Sequence, residues 1–149
     1  VFAETGGAST SFVIEDPDGD GGNPPSRIDT IKLNSNKQYN LTVKVFNIAS
    51  GVIKEVSSTI LAQATSHEFY FIPSGVSVTV QKTDKDKSGY PIGFLSSWQI
   101  AGAGTGSILF KLMHKTALKG PNDGPNVGHS DIQLNLPIII VLLIILGYL

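Results

Sequence analysis

Apolar and polar residues alternate with a period of two along much of this chain. Tyr39, Leu41, Val43 and Val45 are separated by Asn40, Thr42 and Lys44, and Val76, Val78 and Val80 by Ser77 and Thr79. Ile108, Phe110 and Leu112 share one parity, with Leu109, Lys111 and Met113 on the other. Successive side chains of a strand point to opposite faces, so such runs predict strands. Less regular runs at 11–15, 27–33, 67–72, 92–100 and 130–136 extend the series. Turn chemistry divides them: DPDGDGGNPP at 16–25, Asn34 to Lys37, Ser50-Gly51, Pro73 to Gly75, 84–89, the glycine-rich AGAGTG at 101–106 and a long loop at 115–128. Residues 52–64 are open between coil and a short helix. The spacing predicts an all-β fold over residues 1–136: one antiparallel β-sandwich, Ig-like or jelly-roll, of about eight strands.

The alternation stops at Pro137, and nine consecutive aliphatics follow: Ile138, Ile139, Ile140, Val141, Leu142, Leu143, Ile144, Ile145 and Leu146. Pro137 reads as a break that sets 137–149 apart as a hydrophobic C-terminal segment. As a helix, 138–149 would extend about 18 Å at ~1.5 Å per residue, short of the ~30 Å hydrocarbon core of a bilayer. As a strand it would reach about 40 Å at ~3.3 Å per residue, with both faces needing shelter from water. The other end, Val1-Phe2-Ala3, reads like the middle of a strand with no signal peptide before it, as after removal of a leader. A first strand lacking a partner and a surplus apolar strand suit donor-strand complementation, in which 138–146 enters a neighbouring copy. Head-to-tail insertion does not close, so it builds a filament.

Charge and composition narrow the functions. Eleven basic and twelve acidic residues nearly cancel and form no long run, which gives nucleic acid nothing to bind. With no cysteine there is no disulfide, thiolate metal site or cysteine nucleophile.

Two loops carry oxygen-bearing side chains at alternate positions, the spacing of the first half of a calcium loop: the carboxylates Asp16, Asp18 and Asp20, then Asp84, Asp86 and the Ser88 hydroxyl. Both lack the acid at the twelfth position, and acidic turn residues are favoured without any ion. Calcium is the one cofactor they suggest. His67, His114 and His129 have no metal-ligand spacing, and no nucleophile elbow occurs. His129-Ser130-Asp131 alternate in direction on a strand and cannot form a triad. Nothing points to an enzyme. Asn40-Leu41-Thr42 is an N-glycosylation pattern, and Asp29-Thr30-Ile31 resembles a short O-glycosylation motif, which makes Asn40 and Thr30 candidate glycan sites.

DPDGDGGNPP, HEFYF, DKDKSGYPIG, GAGTGSILFKLMHK and GHSDIQLNLP, in that order, resemble a group of small secreted lipoproteins of Bacteroidetes, often labelled type 1 periplasmic binding fold-like, over about residues 4–137. The resemblance implies an exported domain at the bacterial cell surface and no known activity; the lipidated cysteine is absent and the aliphatic tail is additional. That label requires alternating strands and helices in a longer chain and does not suit this pattern. The expected function is a structural subunit of an extracellular filament, a homopolymer joined through the C-terminal strand and bearing glycans. Two other readings stay open: a membrane-anchored surface domain that binds a ligand, with the tail as a truncated anchor, and a calcium-dependent carbohydrate-binding module.

Overall fold

The computed structural model describes residues 1–18, 22–48, 51–121 and 123–142. These form short strands β1 (Phe2–Glu4), β2 (Ser9–Thr10), β3 (Ile14–Glu15), β4 (Arg27–Ile28), β5 (Ile31–Asn34), β6 (Gln38–Thr42), β7 (Phe46–Asn47) and β8 (Lys54–Glu55). A six-residue helix, α1 (Ser57–Ala62), and a 3₁₀ turn (Ala64–Ser66) follow. Longer strands complete the chain: β9 (His67–Ser74), β10 (Val78–Lys82), β11 (Leu95–Ile100), β12 (Gly104–His114) and β13 (His129–Val141). The described residues are mainly β, with little helix.

Two larger sheets carry the core. One has the order β10-β11-β6-β1-β2 and the other β5-β13-β12-β9, with β3–β4 and β7–β8 as separate two-stranded ribbons. Tyr39 and Leu41 on β6, Trp98 and Ile100 on β11 and Phe2 on β1 face Ile31 and Leu33 on β5, Ile108 on β12, and Leu136, Ile138 and Ile140 on β13. Period-two alternation in the sequence produces this layer: the intervening residues point to the other face of their sheet, where on β12 Lys111 and Met113 are buried as well. Phe2 meets the Trp98 ring edge-on at 4.9 Å, and Trp98 is 1% exposed with its indole N–H donated to Ser96 Oγ.

Three expectations need correction. The strands outnumber eight, because weak runs split. Residues 27–33 divide into β4 and β5 where Asp29 turns aside to bond Val13 through both its backbone N–H and its carboxylate. The sheets are not wholly antiparallel: β5 pairs β13 in parallel, Ile31 opposite Ile138 through Asn34 opposite Val141. Lastly, Pro137 does not divide a domain from a tail. β13 runs through it without a break, Pro137 opposite Ser107 on β12. The Ser35 N–H donates to Val141 O, so strand alternation turns the Pro137 backbone toward the same outer side. Pairing with β5 begins only at Ile138, so the missing N–H of Pro137 falls where no ladder bond is lost.

The glycine-rich 101–106 stretch is also less of a turn than expected, since β12 begins at Gly104. A Cβ on Gly106 would lie 2.2 Å from Ser74 O. Glycine is there so that β9 and β12 can approach, rather than for flexibility.

Candidate functional site

A groove of about 560 Å³ opens between the two larger sheets. Phe2, Leu41, Val43 and Val45 line one side, and Phe71, Phe110, Ile132, Leu134 and Leu136 the other. The segment 12–16, which leads into and includes β3, closes a flank. Val43 and Val45 continue the inward parity of Tyr39 and Leu41 beyond the end of β6. Their backbones are held by other partners: the Val43 N–H donates to Phe94 O, and the Val45 N–H to Ser57 Oγ at the start of α1. The apolar lining thus outruns the sheet that would ordinarily cover it.

The same mismatch occurs across the groove. β13 presents Ile132, Leu134 and Leu136 inward, in phase with the buried Ile138 and Ile140. β5 flanks only 138–141. Among the described residues no strand pairs with the outer edge of β13 from 130 to 137. By alternation from Val141, the backbone groups of Gln133 and Asn135 point to that open side. The rim is apolar as well: Val13 is 38% exposed, Phe46 47% and Ile53 73%. The apolar rim is continuous with the apolar floor of the groove.

The second acidic loop is occupied differently from a calcium site. Asp84 accepts the backbone N–H groups of Gly93 and Phe94 at 2.8 and 3.0 Å, one on each carboxylate oxygen. Asp86 Oδ1 accepts the N–H groups of Ser88 and Tyr90, and its Oδ2 lies 2.9 Å from Lys119 Nζ. Burial alone would raise the Asp86 pKa. The Lys119 ammonium and the two backbone donors outweigh that and leave it lowered. Lys119 therefore takes the place expected of the cation, and also donates to the carbonyls of Ala64 and His67. In the first loop Asp18 accepts from the Asn23 backbone and side-chain amides, which lower its pKa, while Asp16 lines the groove. Asp20 lies outside the described residues.

Asn40 is exposed on β6, between Ala3 on β1 and Ser97 on β11, with its side chain away from the core; Thr30 is half-buried between β4 and β5. Of the residues expected to join a neighbouring copy, Ile138 and Ile140 are buried in their own molecule, Ile139 is half-buried, and Val141 and Leu142 are exposed. Ile138 to Val141 therefore cannot serve as a donated strand: they already pair with β5 and, through Ile140, with β12. Leu143, Ile144, Ile145 and Leu146 lie outside the described residues. Among the described residues no helix is long and apolar enough to cross a membrane.

The groove itself has no local signature, because its lining comes from segments far apart in sequence. The one sequence signal for it is that alternation in Val43/Val45 and in Ile132/Leu134 extends beyond what any nearby strand covers. No family model, curated protein or solved structure matches the chain.

Proposed function

We propose that the chain is a secreted Ig-like or jelly-roll sandwich that serves as a structural subunit of an extracellular bacterial filament. In this reading the apolar residues 142–149 of one copy enter the groove of the next. The observation that carries the reading is the apolar groove beside the unpaired part of β13: an incoming strand finds backbone partners at Gln133 and Asn135 and an apolar floor at Ile132, Leu134 and Leu136. The joint is a strand addition, with ladder bonds giving affinity and pockets for alternate side chains giving register.

Leu142 to Leu146 are aliphatic throughout and match the apolar floor of the groove. Burying roughly 800 Å² of apolar surface at ~25 cal/mol per Å² gives about 20 kcal/mol gross. Ordering eight residues at ~1–2 kcal/mol each takes back about half or more. Thr30 and Asn40 are the glycan sites of this reading, and neither lines the groove; peptide mass spectrometry of secreted material reads them directly.

Negative-stain imaging and sedimentation of three proteins test the proposal. The full chain forms fibres. A chain ending at Val141 and the rim variant Val13→Asp give folded monomers. Fibres from the chain ending at Val141, or a monomeric full chain, would refute it. The volume also lies in the range of small-molecule sites, which supports a second reading, a domain that binds an apolar ligand. A full chain that stays monomeric and takes up a fluorescent fatty acid, with uptake abolished by Val13→Asp, would select it.

A further inference from the structure

All three histidines of the chain stand in one lateral row at the end of the four-stranded sheet. His67 on β9 is the register partner of His114 on β12, and His114 is in turn the partner of His129 on β13. The His67 and His114 rings stack with centroids 4.4 Å apart. Beside them β13 carries one extra residue: Leu112 pairs with Ile132 and Met113 with Ser130, which leaves Asp131 with no opposite number. A bulge of this kind re-aims a side chain, and here it brings Asp131 to the imidazoles. His67 Nε2 lies 3.4 Å from Asp131 Oδ2. One ligand atom from each of His67, His114 and Asp131 falls within 4.8 Å of the others.

We propose that His67, His114 and Asp131 bind one divalent transition-metal ion of the zinc type. Two imidazoles and one carboxylate suit zinc, copper or nickel, and do not suit calcium or magnesium, which take oxygen ligands. Two ligands at ~2.05 Å from a tetrahedral zinc stand about 3.3 Å apart, close to the His67–Asp131 spacing and longer than the usual hydrogen bond. Supporting contacts are in place. His67 Nδ1 lies 3.0 Å from Gln63 O, so its proton goes to that carbonyl and the lone pair of Nε2 faces Asp131. Thr116 Oγ1 lies 2.8 Å from His114 Nε2 and orients the second ring. His67 is buried, His114 half-buried and Asp131 exposed, so an ion enters from the solvent side. His129 is at the rim, its Nδ1 3.8 Å from Asp131 Oδ1. Bound metal would tie together the ends of β9, β12 and β13.

Titration calorimetry of the full chain with zinc chloride in a non-chelating buffer, with calcium chloride as control, tests the site. One zinc binds per chain at pH 7.5 and calcium does not. Asp131→Asn and His114→Gln each weaken zinc by at least about tenfold, while the metal-free melting temperature of Asp131→Asn stays at the wild-type value. At pH 5.5 zinc binding falls by at least about tenfold, because the imidazoles must shed protons to coordinate. His129→Gln changes affinity less than either ligand variant. Absence of one-to-one zinc binding would overturn the proposal. So would Asp131→Asn at wild-type affinity, the result expected if the carboxylate does no more than pair with a protonated His67, or a larger loss in His129→Gln than in His114→Gln.

Discussion

Replacing Ile138 by alanine tests where the aliphatic segment belongs. Ile138 is 1% exposed, pairs with Gly106 on β12 and Ile31 on β5, and sits in the core shared by the two larger sheets. Removing a buried isoleucine down to Cβ costs ~2–5 kcal/mol, the transfer term plus the cavity left behind. The upper half of that range applies here, since rigid strands flank both sides and limit collapse. With a urea m-value of ~2 kcal/mol per M, a loss of about 3.5 kcal/mol moves the midpoint down by about 1.7 M. The control is Leu142→Ala, one residue past β13 and 62% exposed, where a change within ~0.5 kcal/mol is expected. Tryptophan fluorescence reads the transition, since Trp98 is buried in the same core. Measuring the midpoint in the Val13→Asp background, monomeric in the proposed reading, keeps assembly out of it. If Ile138→Ala left the urea midpoint of the monomer in place and weakened only its assembly, β13 would not end inside its own sheet, and the groove argument would fall with it.

Two further outcomes follow from other contacts. Burial raises the Tyr70 hydroxyl pKa, and its hydrogen bond to Glu68 and the Glu68 and Asp123 charges raise it further. The folded state therefore keeps this proton above pH 10.0, the ordinary tyrosine value, where the unfolded chain loses it. Stability from this group is full below that pH and declines above it, so Tyr70→Phe makes the loss between pH 10 and 11.5 shallower in chemical denaturation. Gly106→Ala places a methyl 2.2 Å from Ser74 O; the strands must part, and thermal unfolding shows a loss of ~1–3 kcal/mol.

Much of the core was legible because its code is local. Tyr39/Leu41 and Ile108/Leu112 alternate, and both pairs are buried. Pro137 misled for a definable reason. A proline ends a strand only where its absent N–H would have had a partner, and the course of β5, which joins β13 one residue later, is not written near residue 137. The second acidic loop misled similarly. Asp84 and Asp86 have the spacing of a cation loop, but a lysine from the 115–128 loop supplies the positive charge. That loop is held down by further buried ions: Lys115 contacts Glu68, Asp123 and the Tyr70 hydroxyl. The histidine row was illegible because lateral neighbours in a sheet have no fixed sequence separation, and a bulge that shifts Asp131 into place leaves no pattern.

The pairing of β5 with β13 has a consequence for how the molecule is made. Ile31 and Leu33 leave the ribosome early, yet their partners, Ile138 to Val141, are synthesised more than a hundred residues later. Non-local pairing of this sort is slow, since a long stretch of chain must be brought together before any contact rewards it. The four-stranded sheet therefore cannot close until β13 has been synthesised, and until then the apolar faces of Ile31 and Leu33 wait without their partners.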